Sequence, residues 1–191
     1  MANPLDQLVS PVTVDELSDW LGGGLTEDPL LAPILLSATS AAISFMQLDI
    51  LPRQWKHVIY PVTPQKVGLS GTFQFKSIYE LPYSALLAVN SVLDEDGELD
   101  ADEYEVDMDA NPGRIIFLKN TEKATVFYTA GMTEPDLYIT EQIAQIPQAI
   151  KNAIKSIAAY IYENRGCSME DVIGKSGAGW MLQPFKIEGG I

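Results

Sequence analysis

The order of apolar and polar positions divides the chain into a helical beginning, an extended middle and a helical end. Thr13 is followed by Glu16 at the spacing of a capping box, and Val14, Leu17 and Leu21 recur at helical intervals. The run Gly22-Gly23-Gly24 ends this first helix, because glycine reaches the left-handed conformation that closes a helix without a Cβ clash. Asp28-Pro29 reads as a cap and a first-turn proline, and Pro33 leaves open a start of the regular helix about one turn onward. Its stripe of Leu31, Leu35, Ala38, Ala42 and Phe45 is widened by Ile34, Ala41 and Met46. That is more than one packing face requires, so this helix is expected to touch two neighbours.

After Pro52 the period changes to alternation. Trp55, His57 and Ile59 fall on one side of an extended segment, and Lys56, Val58 and Tyr60 on the other. Further strand-like pieces span 72–75, 76–81, 86–93, 98–108, 114–118 and 124–130. Asp96-Gly97 predicts a tight hairpin, since both residues tolerate positive φ, and Asn111-Pro112-Gly113 predicts the next turn. Pro147 opens a third helix with Ile150, Ile154, Ile157 and Ile161 on one stripe, Lys151, Asn152 and Lys155 outside it, and Gly166 as its stop. The stretch 167–191 has five glycines and little periodicity, yet holds Trp180, Met181, Leu182 and Phe185, which predicts a mobile arm with an apolar hook.

Length and composition fit one domain: 191 residues at 47% hydrophobic content can bury one sizeable core. With 26 acidic against 12 basic residues the formal charge is -14, which disfavours a general nucleic-acid binder, because gripping a phosphate backbone relies on Lys and Arg displacing counterions. The same acidity could serve solubility alone. The first dozen residues lack the basic flank and apolar run of a signal peptide. The longest apolar tract, 30–45, is broken by Pro33 and several hydroxyl residues and is shorter than the roughly 20 residues of a membrane span. A single cysteine, Cys167, allows no internal disulfide and no cysteine metal cage.

Candidate chemistry is sparse. A Ser-His-Asp or Cys-His device would have to use His57, the only histidine, which reads better as a packed strand residue beside Trp55; Cys167 reads as an ordinary thiol. Asp94, Asp96, Gly97 and Glu103 match four positions of a calcium-loop template, but Val92 stands where the first ligand belongs, and the hairpin already explains Asp96-Gly97. The acidic run 94–109 is then a solvated face. Gly174-Lys175-Ser176 imitates the end of a phosphate loop, with Met169 at the required earlier glycine and a helix rather than a strand before it. No carboxylate is singled out as the raised-pKa partner that glycoside chemistry needs. These readings point to no catalytic site, no metal and no cofactor.

Several phrases in order resemble one family: Pro11-Val12-Thr13-Val14-Asp15-Glu16-Leu17, Ile78-Tyr79-Glu80-Leu81-Pro82, and Ser91-Val92-Leu93-Asp94-Glu95-Asp96-Gly97. Tyr104-Glu105-Val106-Asp107, Pro112-Gly113-Arg114-Ile115 and Tyr128-Thr129-Ala130-Gly131 follow, then Ile146-Pro147-Gln148-Ala149-Ile150-Lys151 and Tyr162-Glu163-Asn164-Arg165. The chain is similar over 11–187 to head-tail connector, or head-completion adaptor, proteins of long-tailed bacteriophages. It departs from them in a longer 61–75 connection and in Pro33 within the second helix.

The resemblance implies a structural virion subunit, made in the host bacterial cytoplasm, that forms a homo-oligomeric ring of about twelve copies beneath the portal protein. Such a ring completes the DNA-filled head and gives a tail-completion or stopper protein its attachment surface, with DNA only as passing cargo and no membrane contact. Partner and oligomer contacts are then expected at Trp180, Met181, Leu182, Phe185, Ile34 and Phe45, with the arm disordered until it docks.

The expected architecture is a single α+β domain: an N-terminal helical pair over 11–50 and a C-terminal helix over 146–166. A β-rich insertion of about six strands over 51–131 separates them, and a flexible arm over 167–191 follows. Two other readings remain open: a small hydrolase or carbohydrate-binding module on the β-rich part, and a non-viral cytosolic scaffold. An arm folded back on its own core beside an occupied cleft would count against the connector reading.

Overall fold

The computed structural model describes residues 2–60, 65–67, 74–83, 85–119, 121–165 and 171–187. The fold is α+β, with a β-rich insertion between the second helix and the later helices. In place of the expected single domain, the chain divides into two compact units, one built on 52–134 with the first seven residues, the other on 8–51 and 135–186. The extended middle can stand as its own unit because it closes a hydrophobic core without borrowing an apolar helix face.

The first unit contains β1 (Ala2–Pro4), β2 (Arg53–Ile59), β3 (Gln65–Val67), β4 (Gln74–Glu80), β5 (Leu86–Leu93), β6 (Tyr104–Asp107), β7 (Arg114–Phe117) and β8 (Ala124–Ala130). They form two antiparallel four-stranded sheets, ordered β1-β2-β8-β5 and β3-β4-β7-β6. Alternation works as the sequence suggests: Ala124, Val126, Tyr128 and Ala130 of β8 are buried and the residues between them are half-buried. Trp55 and Ile59 of β2 join the same core. The Trp55 ring stacks on Tyr83 at 4.6 Å, and the Tyr128 hydroxyl donates to the Pro82 carbonyl at 2.7 Å. A buried phenol with its donor satisfied carries no desolvation penalty.

Strand count and pairing depart from expectation. The pieces 72–75 and 76–81 belong to one strand where they are described, and β1 had no signal, because three residues ending in Pro4 are too short to show a period. Pro4 is tolerated because β1 lies at a sheet edge. Most of the 61–75 connection lies outside the described residues. The Asp96-Gly97 turn exists: Asp94 N–H donates to the Gly97 carbonyl at 2.8 Å, and Gly97 has φ +139°. The hairpin extends by only one bridge, Leu93 to Glu98, after which the chain turns and β6 enters the other sheet.

The second unit holds α1 (Val14–Trp20), α2 (Leu31–Met46), α3 (Ile139–Gln145), α4 (Gln148–Glu163), α5 (Val172–Lys175) and α6 (Gly179–Leu182), followed by a 3-10 turn at Gln183–Phe185. The capping box of α1 is formed in both directions: Glu16 N–H donates to Thr13 Oγ1 at 3.1 Å, and Thr13 N–H to the Glu16 carboxylate at 2.8 Å. Pro33 sits in the first turn of α2, where the backbone N–H groups have no helical acceptor, so the helix continues through it. On α4, Ile150, Ile154, Ile157 and Ile161 are buried together with Ala153 and Ala158. The helix packs mainly on α2, and its stop at Gly166 lies outside the described residues. α3 was not foreseen; its seven residues carry too few apolar repeats to stand out.

Candidate assembly surface

The C-terminal stretch corrects the expected arm. Residues 172–185 form α5, α6 and the 3-10 turn, all within the second unit, and α6 lies against α4 and α2. Ala178 and Leu182 are fully buried there, because their spacing puts both on the side of the short helix that faces α4. Leu182 is therefore a core residue and cannot anchor a partner. Met181 and Phe185 are half-buried, while Trp180 is 76% exposed. Of the four predicted hook residues, only Trp180 presents most of its surface outward.

The broad apolar face of α2 is also accounted for within the unit, since α2 meets α1, α4, α5 and α6. Ile34 and Phe45 are half-buried, and the Lys186 ammonium lies 5.3 Å from the Phe45 ring centre. Besides Trp180, exposed apolar side chains of this unit include Val9, Leu30 just before α2, Leu36 on α2, Trp20 at the end of α1, and Tyr138 with Ile139 at the start of α3. Trp20 is 47% exposed, and the Lys155 ammonium of α4 sits 4.7 Å over its ring. Lys151 precedes Lys155 by one helical turn, on the same flank. Sequence reading passed over this trio because Trp20 and Lys155 are adjacent only after α1 packs on α4.

In the first unit the acidic stretch is organised by one cation. Lys119 Nζ lies 3.0 Å from the Asp94 carboxylate and 2.9 Å from that of Glu103. The Lys119 hydrogen bond is the largest influence holding both carboxyls below their ordinary values, and Glu103 followed by Asp94 raises Lys119 above its own. Asp94 also accepts from the Asp96 and Gly97 N–H groups at 2.8 and 3.1 Å. The calcium-loop resemblance thus resolves into an ammonium where a metal would be, and neither carboxyl has the raised pKa of a general acid. Glu95, Asp96, Glu98, Asp100 and Asp102 are exposed around this clamp, with Met108 49% exposed beyond them.

The remaining candidates stay separate. His57 is a half-buried residue of β2, opposite Val126. Among the described residues, no group of three or more His, Cys, Asp or Glu side chains could hold a metal ion, and no helix is long and apolar enough to cross a membrane. Cys167 and Met169 lie outside the described residues. The Gly174 N–H, which a phosphate loop would offer to an anion, donates instead to the Asp171 carboxylate at 3.1 Å.

No protein-family model matches this chain, and no curated protein matches it. Solved structures do. A chain of the "Neck of empty GTA particle computed with C6 symmetry" superposes with a TM-score of 0.70 at 18% identity, over 100% of this chain and 97% of the other. One from the "Neck of native GTA particle computed with C12 symmetry" gives 0.68 at 17%, and one from the "Virion of native gene transfer agent (GTA) particle" gives 0.68 at 18%, with the same coverage. This chain has the fold of a virion neck component. The likeness spans both units, so it includes the way helices and sheets are distributed along the sequence.

Proposed function

We propose that this chain is a structural subunit of a phage-type head-tail neck, a connector that forms a ring beneath the portal, completes the filled head and offers a surface to the tail or a stopper protein. The observation that carries this reading is the full-length superposition on a neck chain at a TM-score of 0.70. Necks of six- and twelve-fold symmetry are the setting of those relatives, and a ring of about twelve copies is the corresponding proposal here. The folded segment 172–185 offers no disordered apolar arm for docking. Shared architecture and outward apolar side chains such as Trp180 and Trp20, which one copy leaves in water, support the connector role.

A formal charge of -14 suits a wall past which DNA must slide, because carboxylates prevent the many phosphate contacts that hold a duplex. The depressed carboxyls at Asp94 and Glu103 give the hydrolase reading no general acid there, and we assign no reaction to the chain. Electron microscopy and native mass spectrometry of the purified chain, alone and with a portal protein from the same genome, test the proposal. The expected particle is a closed ring that docks on the portal. A chain that stays monomeric at hundreds of micromolar (on the order of cellular maxima) and ignores the portal would overturn it.

A further inference from the structure

We infer that the Trp20–Lys151–Lys155 flank of one copy seats the acidic turn region, 95–108, of the next copy in the ring. The inference rests on the connector reading and names the contact between copies that this reading leaves open. Copies that each carry a formal charge of -14 repel one another, and repulsion is screened only beyond roughly 8 Å at physiological salt. A contact that brings unpaired cations against carboxylates offsets part of that repulsion.

Lys56, Lys123, Lys175 and Lys186 form no ion pair among the described residues, but none belongs to a helical pair of cations beside an exposed indole, and other cations are already engaged. Lys119 is held between Asp94 and Glu103, Arg114 pairs with Glu80 at 3.2 Å, and Arg53 donates to the Asp6 carbonyl at 3.0 Å. Lys151 and Lys155 form no ion pair among the described residues, and they stand one turn apart on α4 beside the half-exposed Trp20 indole. Two ammonium groups next to an aromatic face suit a partner with closely spaced carboxylates and one apolar side chain.

The chain's own acidic turns have that chemistry. Glu95, Asp96, Glu98, Asp100 and Asp102 are exposed, and Met108 supplies a flexible thioether for the Trp20 ring. The two surfaces are different patches carried once per copy, which is what a head-to-tail contact needs in order to close into a ring. A duplex is the weaker candidate occupant: two lysines neutralise few phosphates, and the rest of the chain repels them.

Two paired substitutions in the full chain test this by native mass spectrometry: Lys151→Glu with Lys155→Glu, and Asp100→Lys with Asp102→Lys. Each pair alone should raise the concentration needed for rings by about tenfold or more, while circular dichroism stays that of the wild type. All four substitutions in one chain should restore rings. The two double variants mixed in equal amounts should form rings of alternating copies, since each flank then meets a turn of opposite charge while contacts between identical copies set like charge against like. Wild-type rings that persist unchanged in both double variants overturn this contact and leave the ring standing. A wild type that never associates overturns the contact and the ring together. Loss of duplex DNA binding with intact rings in the Lys151→Glu/Lys155→Glu chain assigns the lysines to nucleic acid and overturns the contact alone.

Discussion

The Tyr162 hydroxyl donates to Asp28 Oδ2 at 2.9 Å across 134 positions of sequence, tying the last turn of α4 to the segment that leads into α2. Asp28 Oδ1 accepts from the Leu30 N–H at 2.9 Å, so the carboxylate closes the approach to α2 on one side and holds α4 on the other. The Leu30 N–H and then Tyr162 hold the Asp28 carboxyl below its ordinary value. A depressed carboxyl adds stability above the unfolded-state pKa and loses it as pH falls through the folded one. Tyr162→Phe should therefore lower the thermal midpoint at pH 7, and the gap from wild type should shrink on acidification. A gap that stays constant from pH 7 to pH 3 would show that the lost hydroxyl acts through packing alone.

Lys119 makes an opposite pair of demands. Asp94 and Glu103 contribute stability that disappears as pH falls through their lowered folded values, whereas Lys119, raised above 10.5, contributes stability that disappears as pH rises through its folded value. The clamp is thus fully present across the neutral range. Replacing Lys119 with Met should move both carboxyl titrations upward, with Glu103 raised further by its charged neighbour Asp94. Carbon-detected NMR titration of the two side chains reads this directly, and unmoved midpoints would mean the ammonium does not govern them. Calcium at millimolar levels should leave the wild-type thermal midpoint unchanged, because the ammonium already occupies the carboxylates.

Sequence pattern revealed the parts of this fold whose information is local. The Thr13–Glu16 box, the isoleucine stripe of α4 and the alternation of β8 each need only a few neighbouring residues to be recognised, and each is present as read. What escaped depends on who packs against whom. The tail composition suggested disorder, yet burying Ala178 and Leu182 against α4 offsets the ordering cost of a short glycine-bearing segment. The width of the α2 stripe was legible, but not that α1, α4, α5 and α6 would cover it within the same unit. The Trp20–Lys155 stack and the Lys119 clamp join side chains far apart in sequence, where spacing carries no signal.

Gly113, in the turn after Pro112, is required by space. A Cβ there would lie 2.5 Å from the Leu86 Cβ, closer than carbon atoms approach, and both residues are buried in the first unit. Gly113→Ala should destabilise by about 1–3 kcal/mol through overpacking. Leu86→Ala on that background should give no relief, because the clash is with the Cβ that alanine keeps. Urea unfolding of the single and double variants checks both statements; rescue by Leu86→Ala would move the clash out to the leucine methyl groups.

Trp180 and Leu182 sit two residues apart on α6 with opposite exposure, one 76% exposed and the other fully buried. Leu182→Ala should cost about 2–5 kcal/mol, the range for deleting a buried leucine side chain, and should loosen the packing of α6 on α4. Trp180→Ala removes a larger side chain but almost no buried surface, so its stability should stay within about 0.5 kcal/mol of wild type in urea unfolding. If the outward indole serves docking in the neck, that variant should fold normally and still reduce ring binding to the portal by at least about tenfold, the loss typical of an aromatic contact residue. A Trp180→Ala chain that binds as tightly as wild type would assign the exposed indole no part in assembly, and one that unfolds would show that α6 depends on it for packing.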